Sequence, residues 1–447
     1  MSVSQTMAKR YLRIVVINVV LFAVFAELFA IGAYYIETGA FFYLHSRTYE
    51  QIGDDDEARL TTETLHPYFG PTHQPGLPFD PPDSLKEGAA TATPTEPRKT
   101  NNFGFISDYD YPFLRQNDRQ FIIGMFGGSV GAWYCQLGAP RMVSRLQADP
   151  FFAGKELIPL CFSHEGYKQP QQMLLLSYFL SIGQPFDLVV NIDGFNELAL
   201  GVLNHDRGFD ISMPSALHLD PLINVLDRAT MTPEKLRSLG IIADSQDRLN
   251  RLAERLRRNP IAAVDFVLHW YYERLLREYR VEQGRFANLP SNPRVTSGVR
   301  VTPEVRAREG AALYDDIAQQ WVRASVVMND LLLKRGVPYF HFLQPNQYHT
   351  QRRFSADEAR VALSDESVFK RSIEQGYPVL TGASAAGVLR AQMRFFDATH
   401  VFDAEPAPVY MDNCCHYTLV GNHRLGEFVA ASILSSTGPW RRAPPPR

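Results

Sequence analysis

Hydrophobic and polar positions divide this chain into distinct regimes. From Ile14 to Ile36 the sequence is almost wholly apolar, with Lys9, Arg10 and Arg13 just before it. After a Pro- and Thr-rich stretch from Thr61 to Arg98 that has no strand pattern, short continuous apolar runs begin. They are Phe121–Phe126, Glu156–Cys161, Phe186–Ile192 and Val337–Leu343. Runs of this kind suit strands covered on both faces. Between them lie helical patterns: Gln169–Leu180, and Tyr314–Lys334 with a stop at Arg335-Gly336. The alternation predicts an α/β fold, a parallel sheet with helices on both sides, whose first strand is the Phe121 run.

Residues from about 200 to 300 interrupt the alternation. Pro233–Arg258 and Ile261–Arg280 are charged and helix-patterned, too long for an ordinary connection. They predict a helical insertion between the third and fourth strands, placed to overhang the strands' carboxyl ends. There Trp270, Tyr271 and Tyr272 either line a substrate groove or pack the insertion's own core. Arg251, Arg255, Arg257 and Arg258 read as a solvated helix face or as a contact for an acidic glycan. The stretch from Pro439 to Arg447 reads as a disordered tail.

The apolar stretch Ile14–Ile36 matches one bilayer crossing, which takes roughly 20 residues. Its basic flank predicts a cytoplasmic N-terminus, with everything after residue 36 outside the inner membrane. A cleaved signal peptide fits less well, because a signal's apolar region is about 7 to 15 residues and no small-x-small site ends this one. Glu27 lies inside the stretch, where an ionisable group is costly. It either marks an assembly contact with an envelope partner or reaches an interface.

A chain of 447 residues with 45% hydrophobic residues and a formal net charge of −3 is a folded protein without a nucleic-acid footprint. Four cysteines allow one or two disulfides in an oxidising compartment. Cys414 and Cys415 are adjacent and poorly placed to pair with each other; one of them bridges to Cys135 or Cys161, or the thiols stay free. The 12 histidines are scattered without a paired-cysteine framework, so no metal and no cofactor is expected.

Candidate chemistry starts at Ser129, in Phe126-Gly127-Gly128-Ser129-Val130-Gly131, directly after the first apolar run. Glycines around a serine let the chain turn sharply at a strand's end, projecting the hydroxyl and leaving amides free to hold an oxyanion. Gly166, in His164-Glu165-Gly166-Tyr167, follows the second run, and Asn196, in Asp193-Gly194-Phe195-Asn196-Glu197, follows the third. Asp412-Asn413-Cys414-Cys415-His416 lies before a helical stretch, His423–Leu434, where it can present a base with its orienting carboxylate. Each segment alone also fits an ordinary turn, cap or surface pair.

In this order the four segments resemble the four blocks of the SGNH (GDSL-like) hydrolase superfamily. Thr100–Phe105 and His66–Gly70 also look like lead-in segments of its membrane-anchored bacterial members. The resemblance implies a three-layer, flavodoxin-like parallel sheet and an ester-cleaving serine enzyme. Ser129 is then the nucleophile, His416 the base and Asp412 its orienter. The Ser129 N–H, the Gly166 N–H and the Asn196 side chain form the oxyanion hole.

Two departures stand out. The family places Asp three residues before His, whereas Asp412 is four before His416 and Asn413 holds the expected position. Gly128 stands where the eponymous motif has Asp, which leaves the nucleophile and its N–H intact. The Gly-x-Ser-x-Gly spelling also fits the elbow of α/β-hydrolases, but an elbow serine follows several earlier strands.

The expected organisation is a cytoplasmic segment 1–13, a transmembrane helix 14–36, a juxtamembrane and Pro-rich lead-in 37–118, an SGNH-type domain 119–436 containing the insertion, and a tail 437–447. The function implied is a membrane-anchored serine esterase with a periplasmic or extracellular catalytic domain, acting on an acylated, for example acetylated, cell-envelope glycan. The same residues serve an O-acyltransferase, and the irregular Asp412 spacing also allows an inactive glycan-binding or assembly subunit.

Overall fold

Gln120–Gly127 reads QFIIGMFG, and all eight residues are buried, as a central strand of a covered sheet requires. In the computed structural model, residues 3–44, 63–79, 98–219, 222, 231–289, 302–303 and 308–441 are described. The chain forms two units, one of residues 62–225 and 299–447, the other of residues 1–61 and 226–298.

The larger unit begins with two short antiparallel pairs, β1 (Glu63–His66) with β2 (Gly70–His73), and β3 (Pro78–Phe79) with β4 (Arg98–Lys99). The stretch without a strand pattern therefore contains strands. Each is four residues or fewer, too short for the alternation that marks a strand in sequence. Residues 80–97 of that stretch lie outside the described residues.

Five strands make the main sheet: β5 (Gln120–Gly127), β6 (Glu156–Ser163), β7 (Leu188–Asp193), β8 (Tyr339–Leu343) and β9 (Arg394–Asp397). All neighbours are parallel, and the spatial order is β6-β5-β7-β8-β9, or 2-1-3-4-5 counted along the chain. The Phe121 run is thus the sheet's first strand, as expected. Alternate residues enter different cores. Phe121, Ile123 and Met125 join one with Leu188, Val190, Phe340 and Phe342; Ile122 and Phe126 join the other with Ile158, Leu160, Phe162 and Val189. Helices Ser129–Trp133, Ala139–Gln147, Phe195–Asp206 and Leu419–Ser435 contribute to the first core, and Gln171–Ser181 to the second. Each fully buried Ile, Val or Phe adds about 1.5–3 kcal/mol.

Order at the chain's end continues further than expected. Pro439–Arg441 form a helical turn, and Trp440 is buried against Phe152, with ring centroids 5.8 Å apart. Burial of that indole outweighs the Pro-rich composition, and only residues 442–447 of the expected tail lie outside the described residues. One disulfide joins Cys135 to Cys161 across a Cα–Cα distance of 5.8 Å, while Cys414 and Cys415 are free thiols. Of the two alternatives for the 414–415 pair, the structure shows the free thiols and not a bridge to Cys135 or Cys161. Parallel pairing of β5 with β6 brings Cys161 beside the turn that follows Ser129.

The smaller unit holds the apolar N-terminal helix, Val3–Thr38, and the helical pair Pro233–Arg257 and Ala262–Asn288. Tyr11–Thr38 is long and apolar enough to cross a membrane. The insertion, expected from about 200, thus starts later: residues up to Asp206 complete a helix of the sheet unit. Tyr272 packs the insertion's own core with Leu249, Leu252 and Leu275, whereas Trp270 and Tyr271 are exposed. Glu27 finds its partners within the chain. Its carboxylate accepts the N–H groups of Ala262 at 2.8 Å and Ala263 at 2.9 Å, and the Tyr43 hydroxyl at 2.5 Å. It thereby caps the otherwise unsatisfied first turn of helix Ala262–Asn288.

Candidate active site

β5 ends at Gly127, Gly128 makes the turn, and Ser129 begins a helix. As the first residue of that helix, Ser129 has an N–H outside the helical bonding pattern. Its Oγ lies 2.8 Å from His416 Nε2, although 287 positions separate the two residues. His416 Nδ1 lies 2.5 Å from Asp412 Oδ2. The carboxylate's other oxygen, Oδ1, accepts the N–H groups of Cys414 at 2.9 Å, Cys415 at 3.0 Å and His416 at 3.2 Å. Asp412 rather than Asn413 therefore contacts the ring; Asn413 is exposed, and its carbonyl accepts the Tyr348 hydroxyl.

The loop is closed by a bridge between Tyr410 and Tyr417 and fastened to the segment after β8. Asn346 Nδ2 donates to the Cys414 carbonyl at 3.1 Å, and Gln347 Nε2 to the Asp412 carbonyl at 3.0 Å. Burial alone would raise the Asp412 carboxyl, yet its bonds to the His416 ring and to loop amides hold it below the ordinary carboxylate value. Burial likewise opposes charge on His416, but the bond to Asp412 outweighs it and places the imidazole above the ordinary histidine value. Burial pushes the Cys415 thiol well above its usual range, despite the Ser129 hydroxyl beside it. It stays protonated and does not compete as a nucleophile.

Gly166 occupies the third position of the turn His164–Tyr167, closed by Tyr167 N–H to the His164 carbonyl at 3.2 Å. Its φ of 74° is one that L side chains rarely adopt, and an added Cβ would come within 2.3 Å of the His218 ring. Asn196 is the second residue of helix Phe195–Asp206 and is buried; it does not cap that helix. Its Nδ2 donates to the Tyr167 carbonyl at 2.8 Å, which fixes one of the amide's two N–H groups and so the direction of the other.

These pieces meet at Gly128. A Cβ there would lie 2.0 Å from Asn196 Nδ2 and 2.9 Å from the Tyr167 carbonyl oxygen. The Asn196 amide and the turn carrying Gly166 therefore close over the residue before the serine. Glycine at 128 is a requirement of this packing, which the motif comparison did not reveal.

Sequence reading also gave no role to Glu197. It is 3% exposed, and its two oxygens accept the N–H groups of Gln169 and Gly194, each at 2.8 Å, tying the second segment to the third. Burial, with the neighbouring Asp193 charge, pushes its carboxyl up to about 8. Asp193 in turn accepts Trp321 Nε1 at 2.6 Å and pairs with His341 Nε2 at 2.7 Å beneath the sheet's carboxyl end. The signal for Glu197 was its position three residues after Gly194, where a carboxylate reaches back to a helix's first amide.

Ser129, His416, Asp412, Asn196 and the Gly166 turn, chosen from the sequence, thus gather at one rim of the sheet. Chemically the arrangement holds a hydroxyl against a ring nitrogen that can take its proton, with the other ring nitrogen fixed by a carboxylate. Neither any protein-family model nor any curated protein matches this chain.

Proposed function

We propose that the protein is a membrane-anchored serine esterase of the SGNH (GDSL-like) type, acting on an acylated cell-envelope glycan. The observation that carries this reading is the continuous contact Ser129 Oγ to His416 Nε2 at 2.8 Å and His416 Nδ1 to Asp412 Oδ2 at 2.5 Å. Sheet order 2-1-3-4-5 with helices on both faces supports the three-layer, flavodoxin-like form of that superfamily. The Asp412 contact, made despite the irregular spacing, favours an enzyme over an inactive binding subunit.

In the reaction, His416 Nε2 takes the Ser129 proton as Oγ bonds to the ester carbonyl carbon. The resulting oxyanion is held by the N–H groups of Ser129 and Gly166 and by Asn196 Nδ2. As the tetrahedral centre collapses, the carbon–alkoxy bond breaks and His416 gives its proton to the departing alcohol. Water, deprotonated by His416, then attacks the acyl-serine and releases the acid and free Ser129. A sugar hydroxyl in place of that water makes the same residues an O-acyltransferase.

The apolar helix with its basic flank supports an inner-membrane anchor with the N-terminus inside, and the Cys135–Cys161 disulfide supports an oxidising compartment for the sheet unit. The test is fluorophosphonate labelling of the full-length protein in detergent, with the modified residue identified by mass spectrometry. Labelling at Ser129 that is lost in Ser129→Ala and His416→Ala is expected. An unlabelled but folded wild type would favour a binding or assembly subunit. Comparing acetate release into water with transfer to an added glycan then separates esterase from transferase.

A further inference from the structure

We propose that Glu63, His73 and His164 form a binding site for a divalent transition-metal ion, Zn2+ by the character of its ligands, beside the turn that carries Gly166. This site is independent of the esterase reading and is absent from the sequence pattern, because its ligands come from β1, β2 and the turn just after β6.

Metal-ligating atoms of the three side chains lie within 4.8 Å of one another. A tetrahedral zinc site with bonds of about 2.0–2.1 Å draws its donors closer than that, so small side-chain rotations complete it. Two imidazoles and a carboxylate are a donor set that zinc takes with its fourth position open to water.

The second observation is an unsatisfied atom. The His164 side chain is fully buried, and its Nδ1 donates to the Glu165 carbonyl at 2.9 Å. A carbonyl only accepts, so that nitrogen carries the proton and Nε2 is left with a lone pair. Nε2 has no hydrogen-bond partner. Protonating it instead would bury an N–H without an acceptor, which is costly in either form.

The surroundings match a metal site's outer layer. Ligating histidines ordinarily donate their second nitrogen to a carbonyl or carboxylate, and ligating carboxylates are themselves hydrogen-bonded. His73 Nε2 pairs with Glu165 Oε2 at 3.1 Å, and Glu63 Oε1 pairs with His218 Nδ1 at 3.2 Å. Glu63 and Glu165 also place two carboxylates in one cluster, and a divalent cation balances them. By joining β1 and β2 to His164, the ion would fasten the turn at Gly166.

The full-length protein, purified in detergent and dialysed against metal-free buffer with limiting Zn2+, is assayed for bound metal by mass spectrometry and, after Co2+ substitution, by visible absorption. About one equivalent per chain is expected. Glu63→Gln and His164→Gln should abolish it, and His218→Ala should weaken affinity about 10- to 100-fold. Ser129→Ala should retain it. Since His164 is buried, His73→Ala serves as the second ligand variant, with circular dichroism checking its fold. A folded wild type that binds no Zn2+ or Co2+ overturns the proposal. So does binding that survives Glu63→Gln and His73→Ala but is lost in Cys414→Ser, which would move the ion to the Cys414, Cys415 and His416 group.

Discussion

Asp412 grips both the ring and the main chain of the loop that presents His416: Oδ2 meets Nδ1 at 2.5 Å, and Oδ1 accepts the N–H of His416 itself at 3.2 Å. The four-residue spacing thus closes a turn around the carboxylate. Asp412→Asn should lower kcat for a p-nitrophenyl ester by about 10⁴-fold, the cost in a comparable triad of an amide that no longer fixes the imidazole's tautomer. Asn413→Ala should leave it within a few-fold, because that side chain is exposed. Equal losses would mean that the carboxylate does not orient the base.

The same pair sets the pH profile. The proposed reaction needs neutral His416, and Asp412 raises the imidazole above its ordinary value against the effect of burial. The acid limb of kcat/KM should therefore lie above pH 6.5, the ordinary histidine value. In Asp412→Asn burial is opposed only by the weaker pull of Cys414 and Glu165, and the limb should move down. A limb unmoved by the substitution would assign it to another group.

Gly128 is predicted to act through Asn196. An added Cβ 2.0 Å from Nδ2 must displace the amide, since the Tyr167 carbonyl blocks the other side at 2.9 Å. Removing one oxyanion donor costs about 10²- to 10³-fold in kcat. Gly128→Ala and Asn196→Ala should each show that loss with little change in KM. The double variant should be scarcely worse than either, because both remove one interaction. Multiplying losses would show that Gly128 matters for something else.

How much could be read in advance follows from the range of each interaction. Strands β5 to β8 were legible because a fully covered strand must be continuously apolar. β9, Arg394–Asp397, was not: it is four residues long with charged ends, and only Phe395 is buried. Ser129 and Asn196 stood out because strand-end turns use Gly, Ser and Asn, and His416 because it follows Asp412 just ahead of a helix; it was their order along the chain, resembling the SGNH blocks, that singled them out together. The requirement for glycine at 128, the Glu197 bridge and the grouping of His73, His164 and Glu63 depend on contacts between distant segments. For Gly128 and the three-residue group nothing local in the sequence encodes them; for Glu197 the reach back to Gly194 is local, and only its bond to the Gln169 N–H is not. Cysteine pairing stayed open between a bridge from the 414–415 pair and free thiols for the same reason, since the parallel register of β5 and β6, which sequence does not print, decides which thiols meet.

That disulfide closes a loop with a sequence separation of 26 residues. On the chain-entropy account a loop of this size contributes about 3–4 kcal/mol. Cys135→Ser with Cys161→Ser should lower unfolding stability by an amount of that order in denaturant titration. Its site should still label once folded, because hydrogen bonds hold Ser129 to His416, His416 to Asp412 and Asn196 to the Tyr167 carbonyl, rather than the disulfide. A double variant as stable as the wild type would mean the bond is absent in the native protein.

Glu197 offers the last test, because its carboxyl is pushed from an ordinary 4.5 up to about 8 by burial first and the Asp193 charge second. The folded protein then holds a proton on Glu197 that the unfolded chain releases above pH 4.5. The resulting stability is fully present below that value and is lost as pH rises through about 8. Its slope reaches at most about 1.4 kcal/mol per pH unit. Lys168, buried nearby with its own value lowered to about 8, keeps its ammonium over most of this window and adds little slope there. Glu197→Gln removes the proton uptake while keeping an acceptor for the Gln169 or Gly194 amide. The stability of wild type minus that of Glu197→Gln should therefore fall steadily from pH 5 to pH 8 in urea titrations, a comparison in which titrating groups that do not interact with Glu197 cancel. A constant difference would place the carboxyl among ordinary ionised glutamates and remove Glu197 as a neutral clamp between the Gly166 and Asn196 segments.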